Sequence, residues 1–245
     1  MTYTGVNHSG GKNWPLQLRD LHNFSLWNYS KGGSLIDINL LHECNWCKHD
    51  LKTQYSYFLK NMINKKIFYQ KWNSYNSLFA IFIGHNDINE VRREYIEMDI
   101  RSIVNGIFNI VEDLYDAGAR NILIFELLPV YRGPARNTAY KKLKKEDVLM
   151  FNNYIKINSK KFFNEHSNTN IIIYNTLKRG EYIIDHCHKF GFKDCTNAYK
   201  MKNKTKSIND FFWNDSHLTE KGNKILTNDI DIILSTISKK KNEIP

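Results

Sequence analysis

Glycine and proline are scarce in this chain of 245 residues, with 12 and 4 copies, and cysteine occurs only four times. That excludes collagen-like and Pro/Gly low-complexity sequences, and four cysteines are too few for a small disulfide-stapled scaffold. No run approaches the ~18 to 20 apolar residues that a membrane-spanning helix requires. Low-complexity blocks are absent, and 42% of the residues are hydrophobic, so a largely disordered chain is excluded too. What remains is a soluble folded protein with apolar material for one sizeable core, and residues 1–245 are read as a single domain.

Lys and Arg number 35 against 25 Asp and Glu, a formal charge of +10. Such an excess can attract nucleic acid, anionic polysaccharide or a membrane surface. Here the positive residues are spread along the chain, with small clusters at Lys141, Lys142, Lys144, Lys145 and at Lys239 to Lys241. No basic motif interleaved with aromatics stands out, so no nucleic-acid partner is expected.

Cys44 with Cys47 and Cys187 with Cys195 are two close pairs, and either is spaced for a local disulfide. His42, Cys44, Cys47 and His49 have ligand chemistry, but a structural zinc site usually draws its second pair of ligands from a separate knuckle. No metal and no cofactor is expected. Asn-x-Ser/Thr acceptor sites at Asn7, Asn23, Asn28, Asn203 and Asn214 permit secretion, although the first residues do not read as a signal peptide.

Hydrophobic periodicity gives the architecture. Ser77 to Gly84 (SLFAIFIG) is a continuous apolar run, expected for a strand buried on both faces of a parallel sheet and followed by a polar loop. From about Glu94 to Ala117, apolar residues recur at helical steps from Ile96 to Leu114, and Gly118 can end that helix. Strands follow at Asn121 to Leu128 and Asn170 to Tyr174, separated by a helix from about Lys145 to His166. A final helix begins after Thr219, its N-cap, with Ile225, Leu226, Ile230, Ile233, Leu234 and Ile237 inward. Trp14 to Leu21 reads as a short helix and Phe24 to Tyr29 as a strand. Alternation of this kind predicts an α/β fold with a mostly parallel sheet.

In such a sheet, functional groups gather at the carboxyl ends of the strands. Gly84-His85-Asn86-Asp87 lies there, and Asn86 offers an amide donor suited to an oxyanion. Asn28 to Gly33 follows another expected strand, and Gly33 can expose its backbone N–H. Phe211 to Thr219 places His217 in a loop ahead of the last helix, a candidate general base on an aromatic anchor.

Together these blocks resemble the SGNH or GDSL hydrolase superfamily, and in particular its fungal lipase and acetylesterase branch. GHND at 84–87 is similar to that family's Gly-x-Asn-Asp block, NYSKGGS at 28–34 to its glycine block, and WNDSHLT at 213–219 to its late Asp-x-x-His block. The resemblance implies a three-layer α/β/α sandwich with flavodoxin-like strand order and a secreted, monomeric ester hydrolase. Its substrate would be a small or polysaccharide-linked acyl ester. A serine would attack the carbonyl, His217 would carry the proton, and Gly33 N–H and Asn86 Nδ2 would stabilise the oxyanion.

Two departures matter. The family's serine block is matched only by residues after its serine, Thr2-Tyr3-Thr4-Gly5, so the nucleophile and the first strand are expected upstream of Met1. Ser9, Ser30 and Ser34 are not expected to replace it. Asn214 stands where the family has the aspartate that orients the histidine. Asp215 can compensate only if the loop is shifted. The rival readings are a catalytically dead relative that binds carbohydrate or another ligand, and a basic α/β adaptor.

Overall fold

The computed structural model describes residues 7–40, 49–63, 71–93, 99–138, 140–201 and 207–242. The chain divides into two compact units, one of Tyr29–Tyr131 with Ala139–Gly180, the other of Met1–Asn28, Arg132–Thr138 and Glu181–Pro245.

The first unit is built on three parallel strands, β1 (Phe79–Ile81), β2 (Asn121–Phe125) and β3 (Asn170–Tyr174), in the order β1-β2-β3. Parallel neighbours need crossover connections, and helices supply them. Helices α3 (His85–Arg93) and α4 (Ile100–Asp116) follow β1, and α5 (Lys145–Glu165) joins β2 to β3. α2 (Leu51–Met62) precedes the sheet and packs on α4. Its N-cap is Asp50, whose carboxylate accepts the Thr53 N–H.

Helix α4 is strongly amphipathic, and the whole inner stripe from Ile100 through Ile103, Val104, Ile107 and Val111 to Leu114 is buried. Each such side chain contributes about 1.5–3 kcal/mol on burial, so this stripe holds the helix to its neighbours. Gly118, at φ +107°, ends the helix as expected. β3 has the expected ends, whereas β2 stops at Phe125, three residues early, and Glu126 to Pro129 run on as a loop.

β1 corrects one expectation. It has three residues, Ala80 is exposed, and Phe79 is half-buried, so it is not buried on both faces. Among the described residues it pairs with a strand on one side alone. The predicted strand at Phe24 to Tyr29 is irregular chain, and Phe24 is 49% exposed. Its aromatic and β-prone residues have no ladder to join, and propensity without a partner strand does not make a strand.

The second unit holds α1 (Trp14–His22), the parallel pair β4 (Asp194–Ala198) and β5 (Phe211–Trp213), and α7 (Glu220–Asn242). α6 (Thr176–Asp185) leads into it. α1 packs on α7, where the buried Gln17 and Thr227 side chains bond at 3.1 Å. Thr219 caps α7 as expected, its Oγ1 accepting the Gly222 N–H at 3.1 Å. Leu226 and Ile230 form the buried part of its inner stripe, and Ile233, Leu234 and Ile237 are half-buried. Cys187 and Cys195 form a disulfide; Cys44 and Cys47 lie outside the described residues. No helix among the described residues is long and apolar enough to cross a membrane.

Candidate active site

Gly84 closes the segment after β1 and caps α3, its carbonyl accepting the Ile88 N–H. Its φ is +117°, and a Cβ there would sit 2.3 Å from Phe151 Cζ, so both backbone and packing demand glycine. The expected polar loop is instead the first turn of α3: His85, Asn86 and Asp87 are its opening residues. A helical turn fans successive side chains about 100° apart, which sends these three to different partners.

Each of the three makes a hydrogen bond to another segment of the chain. His85 Nε2 accepts the backbone N–H of Leu128 at 2.9 Å, fixing the chain as it leaves β2. Asn86 Nδ2 donates to the Ser34 carbonyl at 3.1 Å. Asp87 Oδ1 accepts the Ile36 N–H at 2.7 Å. Asn86 and Asp87 therefore bind the glycine block to the Gly84 turn from two adjacent points. Asn86 uses one amide hydrogen for this and has a second to offer.

Gly33 lies in a turn in which the Ser34 N–H and Oγ both meet the Lys31 carbonyl, at 3.3 and 2.8 Å. Its φ of +76° suits the third residue of a type II turn, and it is exposed. Asp87 is buried and its Oδ2 has no hydrogen-bond partner among the described residues. Burial pushes its carboxyl up to about 7, against the opposing bond from Ile36.

His217 belongs to the other unit. Phe211, Phe212 and Trp213 ahead of it are buried, and Trp213 Nε1 donates to the Cys195 carbonyl at 2.9 Å, so the aromatic anchor is as expected. A bridge between Trp213 and Leu218 closes a tight loop, with the Asn214 N–H on the His217 carbonyl at 2.8 Å. In that loop Asp215 accepts the His217 N–H at 2.9 Å, an Asx turn, and its Oδ1 also lies 2.6 Å from His217 Nδ1. Asn214, placed by the resemblance at the orienting position, does not meet the imidazole. Its side chain is buried and donates to the His8 carbonyl at 2.7 Å. A two-residue Asx turn, rather than a three-residue step, brings the Asp215 carboxylate to the ring.

Partial burial works to raise the Asp215 pKa. The His217 side-chain and backbone bonds and the Lys200 ammonium, 3.1 Å from Oδ2, outweigh it and hold the carboxyl well below the ordinary aspartate range. Asp215 is therefore ionised at neutral pH. His8, which the sequence did not single out, stacks on His217 with ring centroids 4.4 Å apart, and its Nδ1 lies 3.3 Å from Asp215 Oδ2. Of the serines weighed above, Ser9 and Ser34 are buried, with hydroxyls engaged by Asn223 and by Lys31 and Gln54. Ser30 is exposed. The imidazole with its carboxylate lies in one unit, and the amide donor with the glycine turn in the other.

An acetylesterase of Thermothelomyces thermophilus is 30% identical over 135 residues, a match that takes in 54% of this chain and 44% of that protein. The chain thus aligns with less than half the length of this curated relative. Residues 2–230 match the family described as GDSL-like Lipase/Acylhydrolase, and the chain belongs to that family.

Proposed function

We propose that the protein hydrolyses carboxylic esters by a serine mechanism, with short acyl groups such as acetyl as substrates, including those carried on polysaccharide. The observation that carries the reading is the contact of Asp215 with His217 Nδ1 at 2.6 Å. A carboxylate there holds the proton on Nδ1, leaves the Nε2 lone pair to take the serine proton, and stabilises the imidazolium that results. Gly33 N–H and the second N–H of Asn86 serve the oxyanion. The nucleophile in this reading is the serine that the family carries in the block ahead of its Thr-Gly pair. The family match runs through both compact units, which supports reading them as one hydrolase domain. Secretion and a monomeric state complete the reading.

The test compares the 245-residue chain with a form extended upstream through an in-frame Gly-Asp-Ser. The extended form should hydrolyse p-nitrophenyl acetate, the shorter chain should not, and His217→Ala should abolish the activity. Equal rates with and without His217 would overturn the mechanism. An in-frame stop codon directly upstream of a verified start would favour the dead relative that binds a ligand.

A further inference from the structure

His8, Asp215 and His217 bring two imidazoles and a carboxylate together so that one ligand atom from each lies within 4.8 Å of the others. The geometry points to a site for a borderline divalent transition metal such as zinc. Two nitrogen donors and one oxygen donor suit zinc or copper, whereas magnesium and calcium favour all-oxygen sets. Zinc bonds of about 2.0–2.2 Å at tetrahedral angles require donor atoms roughly 3.3 Å apart. The Asp215 oxygens already lie 2.6 Å from His217 Nδ1 and 3.3 Å from His8 Nδ1. Both rings are exposed, and seating a cation requires the stacked pair to open so that both nitrogens face the carboxylate.

The main chain beneath the ligands is fixed. Asn214, 2% exposed, binds the His8 carbonyl with its side chain and the His217 carbonyl with its backbone N–H, so one buried residue holds both histidine-bearing segments. That gives the buried asparagine a structural use in a loop where it does not meet the ring. Lys200 opposes the metal, since its ammonium lies 3.1 Å from Asp215 Oδ2 and must withdraw when a cation binds.

One consequence rests on the proposed function. Zinc on His217 Nδ1 takes that nitrogen's lone pair, the ring proton resides on Nε2, and no lone pair remains to receive the serine proton. Occupancy therefore inhibits ester hydrolysis reversibly.

Zinc titration by calorimetry tests the site on the 245-residue chain, with Cys44→Ser and Cys47→Ser excluding any contribution from that pair. One zinc should bind. His8→Phe, which retains the stacked ring, and Asp215→Asn should each weaken binding by at least ~10-fold, the lower bound for disturbing a metal's ligand set. Lys200→Met should tighten it. No binding up to millimolar zinc, or an affinity indifferent to His8→Phe and Asp215→Asn, would overturn the site. In the upstream-extended form, zinc should inhibit p-nitrophenyl acetate hydrolysis, EDTA should restore it, and His8→Phe should shift the inhibition midpoint by the factor it shifts zinc affinity. Hydrolysis that persists under saturating zinc removes the inhibitory role. Absent hydrolysis with intact zinc binding instead refutes the esterase reading alone.

Discussion

The carboxylate of Asp215 meets His217 Nδ1 at 2.6 Å, and the neighbouring Asn214 turns its amide away to the His8 carbonyl. Two adjacent residues thus make two separate contacts, one with the ring and one with the segment that carries His8. Asp215→Asn in the active enzyme should lower kcat by roughly 10⁴-fold, as when the triad carboxylate of a serine protease becomes an amide. Asn214→Ala should act mainly on stability, at about 1–3 kcal/mol for the lost buried bond. Thermal melts and steady-state kinetics on both variants separate the two roles. A melting temperature that Asn214→Ala leaves unmoved would contradict the assignment.

Asn86 is the second kinetic test. Its carboxamide is anchored on Ser34 and retains one hydrogen for an oxyanion. Asn86→Ala should reduce kcat by ~10²- to 10³-fold while altering KM far less, the pattern of a donor used in the transition state.

Gly84 has no tolerable replacement. Alanine there would place its Cβ 2.3 Å from Phe151 Cζ at a φ of +117°, adding backbone strain to a core clash. Gly84→Ala should cost at least ~2 kcal/mol, read as a fall of roughly 5 °C in melting temperature for a chain this long. Pairing it with Phe151→Leu should recover part of the loss if the clash with the ring is the cause.

Asp87 gives stability a pH dependence of definite sign. Its unfolded value is 3.8 and its folded value about 7. Between them the folded chain retains a proton that the unfolded chain releases. The contribution is complete below about pH 4 and is lost as pH rises through 7, a total on the order of 4 kcal/mol. Asp87→Asn retains an acceptor for the Ile36 N–H and cannot ionise. Between about pH 5 and about pH 8, its melting temperature should fall distinctly less than that of the wild type.

The elements that the sequence made legible are those with a self-contained pattern. α4 and α5 show helical periodicity, β3 is an unbroken apolar run, and Thr219 marks the start of α7. Phe24 to Tyr29 has strand composition without a strand's neighbour, and a pairing partner is not encoded locally. The α3 helix was hidden because its first turn, His85-Asn86-Asp87, is made of turn-forming residues, and the helix is held by ties to Ser34, Ile36 and Leu128. Among the candidate site residues, Gly33, Asn86 and His217 could be named from their blocks. The contact of Asp215 and the stacking of His8 could not, since the first depends on loop closure by Trp213 and Leu218 and the second on a pairing 209 residues apart in sequence. α2 carries a local signal of its own, Asp50 as cap with Leu51, Phe58 and Met62 on one face.

The burial of Asn214 bears on how the protein can be produced. Asn214-Asp215-Ser216 is an acceptor for N-linked sugar, and in the folded chain that amide nitrogen is hydrogen-bonded inside the protein. Oligosaccharide transfer during translocation therefore races against closure of this loop: a chain that loses the race carries a bulky glycan on a nitrogen that must turn inward, and it cannot complete its fold. Yeast or insect secretion should consequently yield two populations, and Ser216→Ala should convert the retained one into exported protein.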